Sequence, residues 1–235
     1  MSITCCWRGK MSAEGSVIIG QFVFPLNFDL AIDLAAAFFI AITGGLVAMR
    51  KGYDFVGVFF LALVTGLGGG LLRDGLFLQQ TPAVIAPHYL LTIIAATVIS
   101  LVFGEKLNRF AFTFMLVDAL GLGLFAMAGT QKALSVGLSW IPAILVGVVN
   151  AVGGGLIRDM MSGEEPLIFR PGEFYAAASF IGSALFVFLV LSLGISVEPA
   201  ELTSIAVIIL IRVASVRFGW KTKAARSLVG REDKG

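Results

Sequence analysis

Histidine occurs once in this 235-residue chain, as His88, and cysteine only as the adjacent pair Cys5 and Cys6. One histidine and two neighbouring cysteines cannot assemble a zinc centre, and adjacent cysteines rarely bridge each other. Charged residues make up 14%, against about 25% in an ordinary soluble domain. The chain has no G-x-x-x-x-G-K-[ST] phosphate loop and no G-x-S-x-G elbow. These shortages leave no candidate catalytic residue, metal ligand or resident cofactor, and no enzyme is expected. A net charge of +2 offers no broad basic surface for nucleic acid.

What is present is apolar surface. Hydrophobic residues reach 58% and the mean hydropathy is +0.96, more than one water-soluble domain of this size can hide. The composition predicts an all-α membrane protein. A bilayer core of about 30 Å needs about 20 mostly apolar helical residues, and seven windows qualify: 28–49, 55–78, 87–103, 111–133, 139–162, 174–194 and 199–218. The last is the weakest, because Arg212 lies inside it. The expected organisation is a tail at 1–27, a first three-helix repeat at 28–104 and a connecting loop at 105–110. A second repeat at 111–196, a seventh helix at 197–220 and a basic tail at 221–235 follow. A cleavable signal peptide is not expected, since Gln21 and Pro25 break the first apolar run.

Seven spans put the termini on opposite sides. Eleven basic residues, including Arg50, Lys51, Lys106, Arg109 and Arg170, fall on one side, and Arg8, Lys10 and Lys132 on the other. The positive-inside rule then predicts a cytoplasmic C-terminus and an outside N-terminus.

Shifted by 85 residues, the chain matches itself at 12 of 42 gap-free positions from Asp33 to Asp74. Asp33 falls on Asp118, Gly68-Gly69-Gly70-Leu71 on Gly153-Gly154-Gly155-Leu156, and Arg73-Asp74 on Arg158-Asp159. Tyr89 meets Tyr175 after a one-residue gap. Each unit holds three spans, so the second enters the membrane from the opposite side, giving an inverted repeat of the kind that encloses a transport pathway.

Three consecutive glycines weaken a helix. Broken backbone inside the hydrocarbon survives only where protein or a water-filled cavity surrounds it. The paired triplets therefore predict helices two and five broken near the midplane, lining an ion pathway. Close packing of small residues is the alternative. Thr65 and Asn150, three residues before each triplet, are candidate pathway-liners or interhelical hydrogen-bond partners. Lys132 has no charged mate in the first repeat, where Val47 stands. It either sets conductance or reaches out to the interface. The repeated charges Asp33, Arg73, Asp74, Asp118, Arg158 and Asp159 are expected to orient the helices. Asp33 and Asp118 are the expected partners of the arginines, because neighbours at i and i+1 point apart on a helix. Arg-Asp pairs extending to the headgroups are the alternative.

Two three-span repeats, each with Gly-Gly-Gly-x-x-Arg-Asp in its second span, plus a seventh helix, resemble the prokaryotic branch of the trimeric intracellular cation (TRIC) channels. The run from Asp118 to Lys132, Pro87-His-Tyr-Leu and the Tyr175 segment extend the resemblance over residues 28–218. The resemblance implies a homotrimer in the lipid bilayer with one pore per protomer, passing monovalent cations, chiefly K⁺ with less selectivity against Na⁺. Animal members bind phosphoinositide; here only Lys132 occupies the corresponding region, so lipid is a secondary expectation. A bacterial inner membrane is the implied location. Some bacterial relatives are described as glycine transporters, so a secondary carrier for a small amino acid remains the rival, and a membrane scaffold a third reading.

Overall fold

The structure is a computed structural model describing residues 10–11, 16–19, 22–108, 111–170 and 174–220. Cys5, Cys6 and the basic C-terminal tail lie outside the described residues. The protein is an all-α integral membrane protein of seven helices. These are α1 (Leu26–Arg50), α2 (Phe55–Leu71), α3 (Pro87–Asn108), α4 (Ala111–Ser135), α5 (Trp140–Ser162), α6 (Tyr175–Leu191) and α7 (Val197–Arg217). Residues 1–27, expected as a tail, include three short strands, β1 (Lys10–Met11), β2 (Ser16–Ile19) and β3 (Phe22–Pro25). They pair antiparallel in the order β1-β2-β3. The Val, Ile and Phe residues of β2 and β3 suit a strand.

Six of the helices are long and apolar enough to cross a membrane, α2 by running on through the turn after it to Phe77, and α6, at 17 residues, is the short one. This reverses the expected ranking of the last two spans. The charge that weakened the seventh window, Arg212, is buried at 1% exposure, so it does not meet lipid. The polar stretch expected as a loop from residue 105 instead continues α3 to Asn108.

The repeat is visible in how the helices end. Gly52 (φ 73°) and Gly137 (φ 90°) are repeat mates in the left-handed region. Each donates its N–H to the carbonyl three residues back, and the next residue donates to the carbonyl five back, at 2.9–3.1 Å. This αL closure satisfies the last carbonyls of α1 and α4, and glycine adopts it without a Cβ penalty. Asp54 then starts α2, its carboxylate accepting from the Gly57 N–H at 2.8 Å.

α1 and α4 run antiparallel through the centre. Ala36, Ala37, Ile40 and Ala41 of α1 and Leu122, Phe125, Ala126 and Met127 of α4 are fully buried. Large apolar side chains such as Leu91, Val102, Phe180, Phe188 and Leu210 are exposed instead. Such a surface suits lipid or another apolar partner rather than water.

The predicted breaks at the glycine triplets are absent. α2 stays α-helical through Gly68–Gly70 and α5 through Gly153–Gly155. Only after the first triplet does the backbone loosen, into a π-helical segment at Leu72–Phe77. The propensity cost of glycine is about 1 kcal/mol per residue. Opening helical hydrogen bonds away from water costs more. The missing Cβ atoms serve approach instead. The Asn150 carbonyl occupies the place of a Cβ on Gly69, and the Thr65 carbonyl that of a Cβ on Gly154. A Cβ on Gly153 would lie 3.3 Å from the Cα of Gly69, and one on Gly68 3.5 Å from the Cα of Gly154. Because Thr65 and Asn150 are repeat mates, as are Gly69 and Gly154, the α2–α5 crossing is two-fold symmetric.

Candidate ion pathway and its two charge clusters

The glycine crossing lies between two buried clusters, one from each repeat. In the first, Arg73 forms a fork with Asp33: Nη1 donates to Oδ1 at 2.8 Å and Nη2 to Oδ2 at 2.9 Å. The Tyr89 hydroxyl donates to the same Oδ2 at 2.7 Å. Arg73 also donates from Nε to Asp74 Oδ1 at 2.7 Å, and Lys132 Nζ of α4 sits 2.9 Å from that oxygen.

In the second, Arg158 Nη1 donates to Asp118 Oδ1 at 2.8 Å and to the Thr43 hydroxyl at 2.6 Å. Its Nε donates to Asp159 Oδ1 at 2.8 Å, and Asp159 Oδ2 accepts from the Leu167 N–H at 3.0 Å. Arg212 of α7 brings Nη2 to 4.0 Å from Asp118 Oδ2. Each cluster thus holds two carboxylates and two cations, one arginine from its own repeat and one further cation, Lys132 or Arg212. Formal neutrality suits a dry interior, where an unpaired charge costs several kcal/mol.

The pairings of Arg73 with Asp33 and Arg158 with Asp118 are those the repeat suggested. The expectation that Arg73 and Asp74, or Arg158 and Asp159, would not pair is overturned. The arginine stem is long enough to fold back, and its five donors serve two carboxylates at once. Nor do these groups reach the headgroups: Arg73, Asp74 and Arg158 are fully buried and Asp159 is 3% exposed.

Thr65 and Asn150 are both fully buried. Their side chains lie beneath Gly44 of α1 and Gly129 of α4, which are repeat mates, while their carbonyls meet the triplets. The Thr65 hydroxyl donates back to Leu61 on its own helix at 2.5 Å. Asn150 Nδ2 crosses to the Phe125 carbonyl of α4 at 2.6 Å. Lys132 is 28% exposed, poised between solvent and Asp74.

Sequence reasoning took Arg212, which lies outside the repeat, only as a weakness of the seventh window; Thr43, whose mate is Ala128, joins the second cluster through Arg158. Tyr89 and Tyr175, which the repeat matched, are both buried. A cavity of about 310 Å³ opens beside the second cluster, lined in part by Asp118, Arg158, Asp159 and Arg212, with Arg50 and Arg170 also on its wall. Among the described residues no group of three His, Cys, Asp or Glu side chains is placed to hold a metal.

These features define a class: a seven-helix membrane protein of two fused three-helix units that cross at glycine. The family described as Glycine transporter matches residues 30–105 and again 115–190, displaced by the same 85 residues as the internal repeat. An inner membrane protein of Escherichia coli, YadS, is 32% identical over 193 residues, covering 81% of this chain and 92% of its own. A membrane protein of Deinococcus radiodurans is 37% identical over 154 residues, 65% of this chain and 72% of its own. A trimeric intracellular cation channel orthologue from Rhodobacter sphaeroides superposes with a TM-score of 0.77 at 34% identity, covering 82% of this chain and 99% of that one. The chain belongs to this family, the prokaryotic branch of the TRIC channels.

Proposed function

We propose that the protein is a passive, K⁺-permeable cation channel, a homotrimer with one pore per protomer between its two repeats. The observation that carries this reading is the symmetric α2–α5 crossing flanked by neutral charge clusters, in a chain that follows a TRIC orthologue structure over 82% of its length. The crossing is shut by backbone contact, so conduction requires α2 and α5 to part. Parting them exposes the Thr65 and Asn150 carbonyls, dipoles of the kind that replace water around a permeant cation. Lys132, bound to Asp74 yet partly exposed, is the charge placed to respond to voltage or to set conductance.

By the positive-inside rule, the Asp33 cluster faces outside and the Asp118 cluster the cytoplasm of a bacterial inner membrane. Purified protein in planar bilayers is expected to give single-channel currents under bi-ionic K⁺/Na⁺ conditions, with K⁺ favoured. The family description supports the rival, a glycine carrier. Absence of currents together with uphill glycine accumulation in liposomes would establish that rival and sink the channel.

A further inference from the structure

α7 lies outside the repeat, and it carries a buried acid that neither charge cluster uses. Glu201 has no exposed surface, and neither of its carboxyl oxygens has a hydrogen-bond partner. It stands in the second turn of α7, at the opposite end of the helix from Arg212. The four aspartates of the clusters are each matched by a cation, Asp33 and Asp74 by Arg73, Asp118 and Asp159 by Arg158. Glu201 has no such match among the described residues. α7 packs on α4 and α6. The ionisable groups of α4, Asp118 and Lys132, are engaged with Arg158 and Asp74. α6 has only Tyr175, which lies at the Arg212 end. The charged groups whose fields reach Glu201 are Asp29 of α1 and Glu198 one turn earlier, both acids. Asp29 has a donor of its own, the Gln131 amide of α4.

A bare carboxylate does not persist in that setting. Taken from water without a cation or donors, the group acquires a counter-ion or a proton instead. A metal ion needs space and ligands. Glu201 has no water-sized gap against it, and among the described residues no three His, Cys, Asp or Glu side chains gather to hold a metal. A proton needs neither. It also turns an acceptor into a donor, because a carboxylic acid has an O–H to give. Ser204, on the same face one turn on, is buried with an unpartnered hydroxyl, the kind of acceptor such an O–H requires.

We propose that Glu201 is a proton-binding site, and that the proton it holds keeps α7 seated on α4 and α6. Ionising Glu201 places a negative charge beside Asp29 and Glu198 with no cation to meet it, so the start of α7 must swing out to water. The same helix carries Arg212 to the Asp118 cluster, so a proton at one end bears on the charge balance at the other. In the orientation proposed above, the start of α7 faces outside, and the outer solution supplies the proton. The site lies apart from the ion pathway and does not rest on the channel reading.

Infrared spectra of the full-length protein, in an ester-free detergent at neutral pH, are expected to contain the carbonyl stretch of a protonated carboxyl group. Glu201→Gln keeps the shape and removes the acid, so it should abolish that band, and Asp29→Asn should leave it. Linkage gives a second readout. The seated state holds a proton that the opened state releases above the ordinary glutamate value of about 4.3. Raising the pH therefore favours opening, by up to about tenfold per pH unit. The melting temperature of the wild type should fall relative to that of Glu201→Gln between about pH 5 and about pH 9. A wild type without the band overturns the site, as does a band that Glu201→Gln keeps or a pH dependence that is the same in both proteins. Should Glu201→Gln not fold, Asp29→Asn decides: a surviving band supports the site, and a lost band moves the proton to Asp29 and overturns it. None of these measurements reads ion flow, so their failure leaves the channel standing, and a protein without K⁺ currents leaves the site standing.

Discussion

The two repeats put matching aspartates, arginines and glycines to the same tasks, and three differences between them stand out. Asp33 holds Arg73 with both oxygens and takes a tyrosine as well, whereas Asp118 holds Arg158 with one oxygen. The additional cation is Lys132 of the second repeat in one cluster and Arg212 of the unrepeated α7 in the other. The backbone after the triplet is π-helical in the first half and α-helical in the second. The shared arrangement, glycine against carbonyl and arginine between two aspartates, is what the fold requires. The differences are where one end of the pathway departs from the other. π segments inside helices frequently mark functional sites, and this one carries Arg73 and Asp74.

The comparison breaks most severely at the crossing. Gly69→Leu and Gly154→Leu each drive a side chain into a carbonyl, beyond the about 1–3 kcal/mol usual for an overpacked core. Both should lose folded oligomer to the same extent in size-exclusion chromatography. Loss from one only would show that the symmetry is not energetic. The flux defect of such variants should follow the loss of oligomer rather than exceed it.

Removing the arginines comes next. Arg73→Ala and Arg158→Ala each take the bridging arginine from two buried carboxylates, a change worth about 3–5 kcal/mol where a buried pair is broken. Arg73→Ala should lower the melting temperature more, because the closed fork is lost with it. A larger fall for Arg158→Ala would reverse the assignment of the first cluster as the more firmly closed.

The tyrosines sharpen the comparison further. Tyr89→Phe should cost about 1.5–3 kcal/mol, the range for a hydrogen bond to a charged group. Tyr175→Phe should leave the melting temperature nearly unchanged, because its hydroxyl has no hydrogen-bond partner. Equal shifts would mean that the second cluster closes as the first does. The smallest effect on stability is expected at Lys132, a partly exposed pair that solvent screens. Lys132→Met should instead change single-channel conductance or its voltage dependence, and unchanged traces would remove Lys132 from the pathway.

Much of this was legible without coordinates. Length and apolarity marked the seven helices, and the 85-residue shift exposed the inverted repeat. The doubled Asp and Arg-Asp positions pointed to the Arg73–Asp33 and Arg158–Asp118 pairs. The helix breaks were misread because glycine's weakness as a helix former is a local property. The use of these triplets depends on what lies opposite, and Asn150 and Thr65 supply a carbonyl to each. Arg212 was read as a burden on α7 because a linear window cannot see Asp118 across the bundle. The bond from Arg158 to Thr43 joins residues 115 apart and depends on a hydroxyl that Ala128 lacks, so no local pattern marks it.

The crossing has a consequence for how such a protein assembles. Two copies of one surface, Gly-Gly-Gly facing the carbonyl of the residue three before its partner triplet, make the contact between α2 and α5. Two separate three-helix chains could form it equally well, provided one inserts upside down relative to the other. The link between α3 and α4 then contributes effective concentration rather than contacts. A chain cut between residues 108 and 111 should therefore reassemble from co-expressed halves. α7 belongs to one half only, so it is the element that tells otherwise interchangeable units which way up to stand.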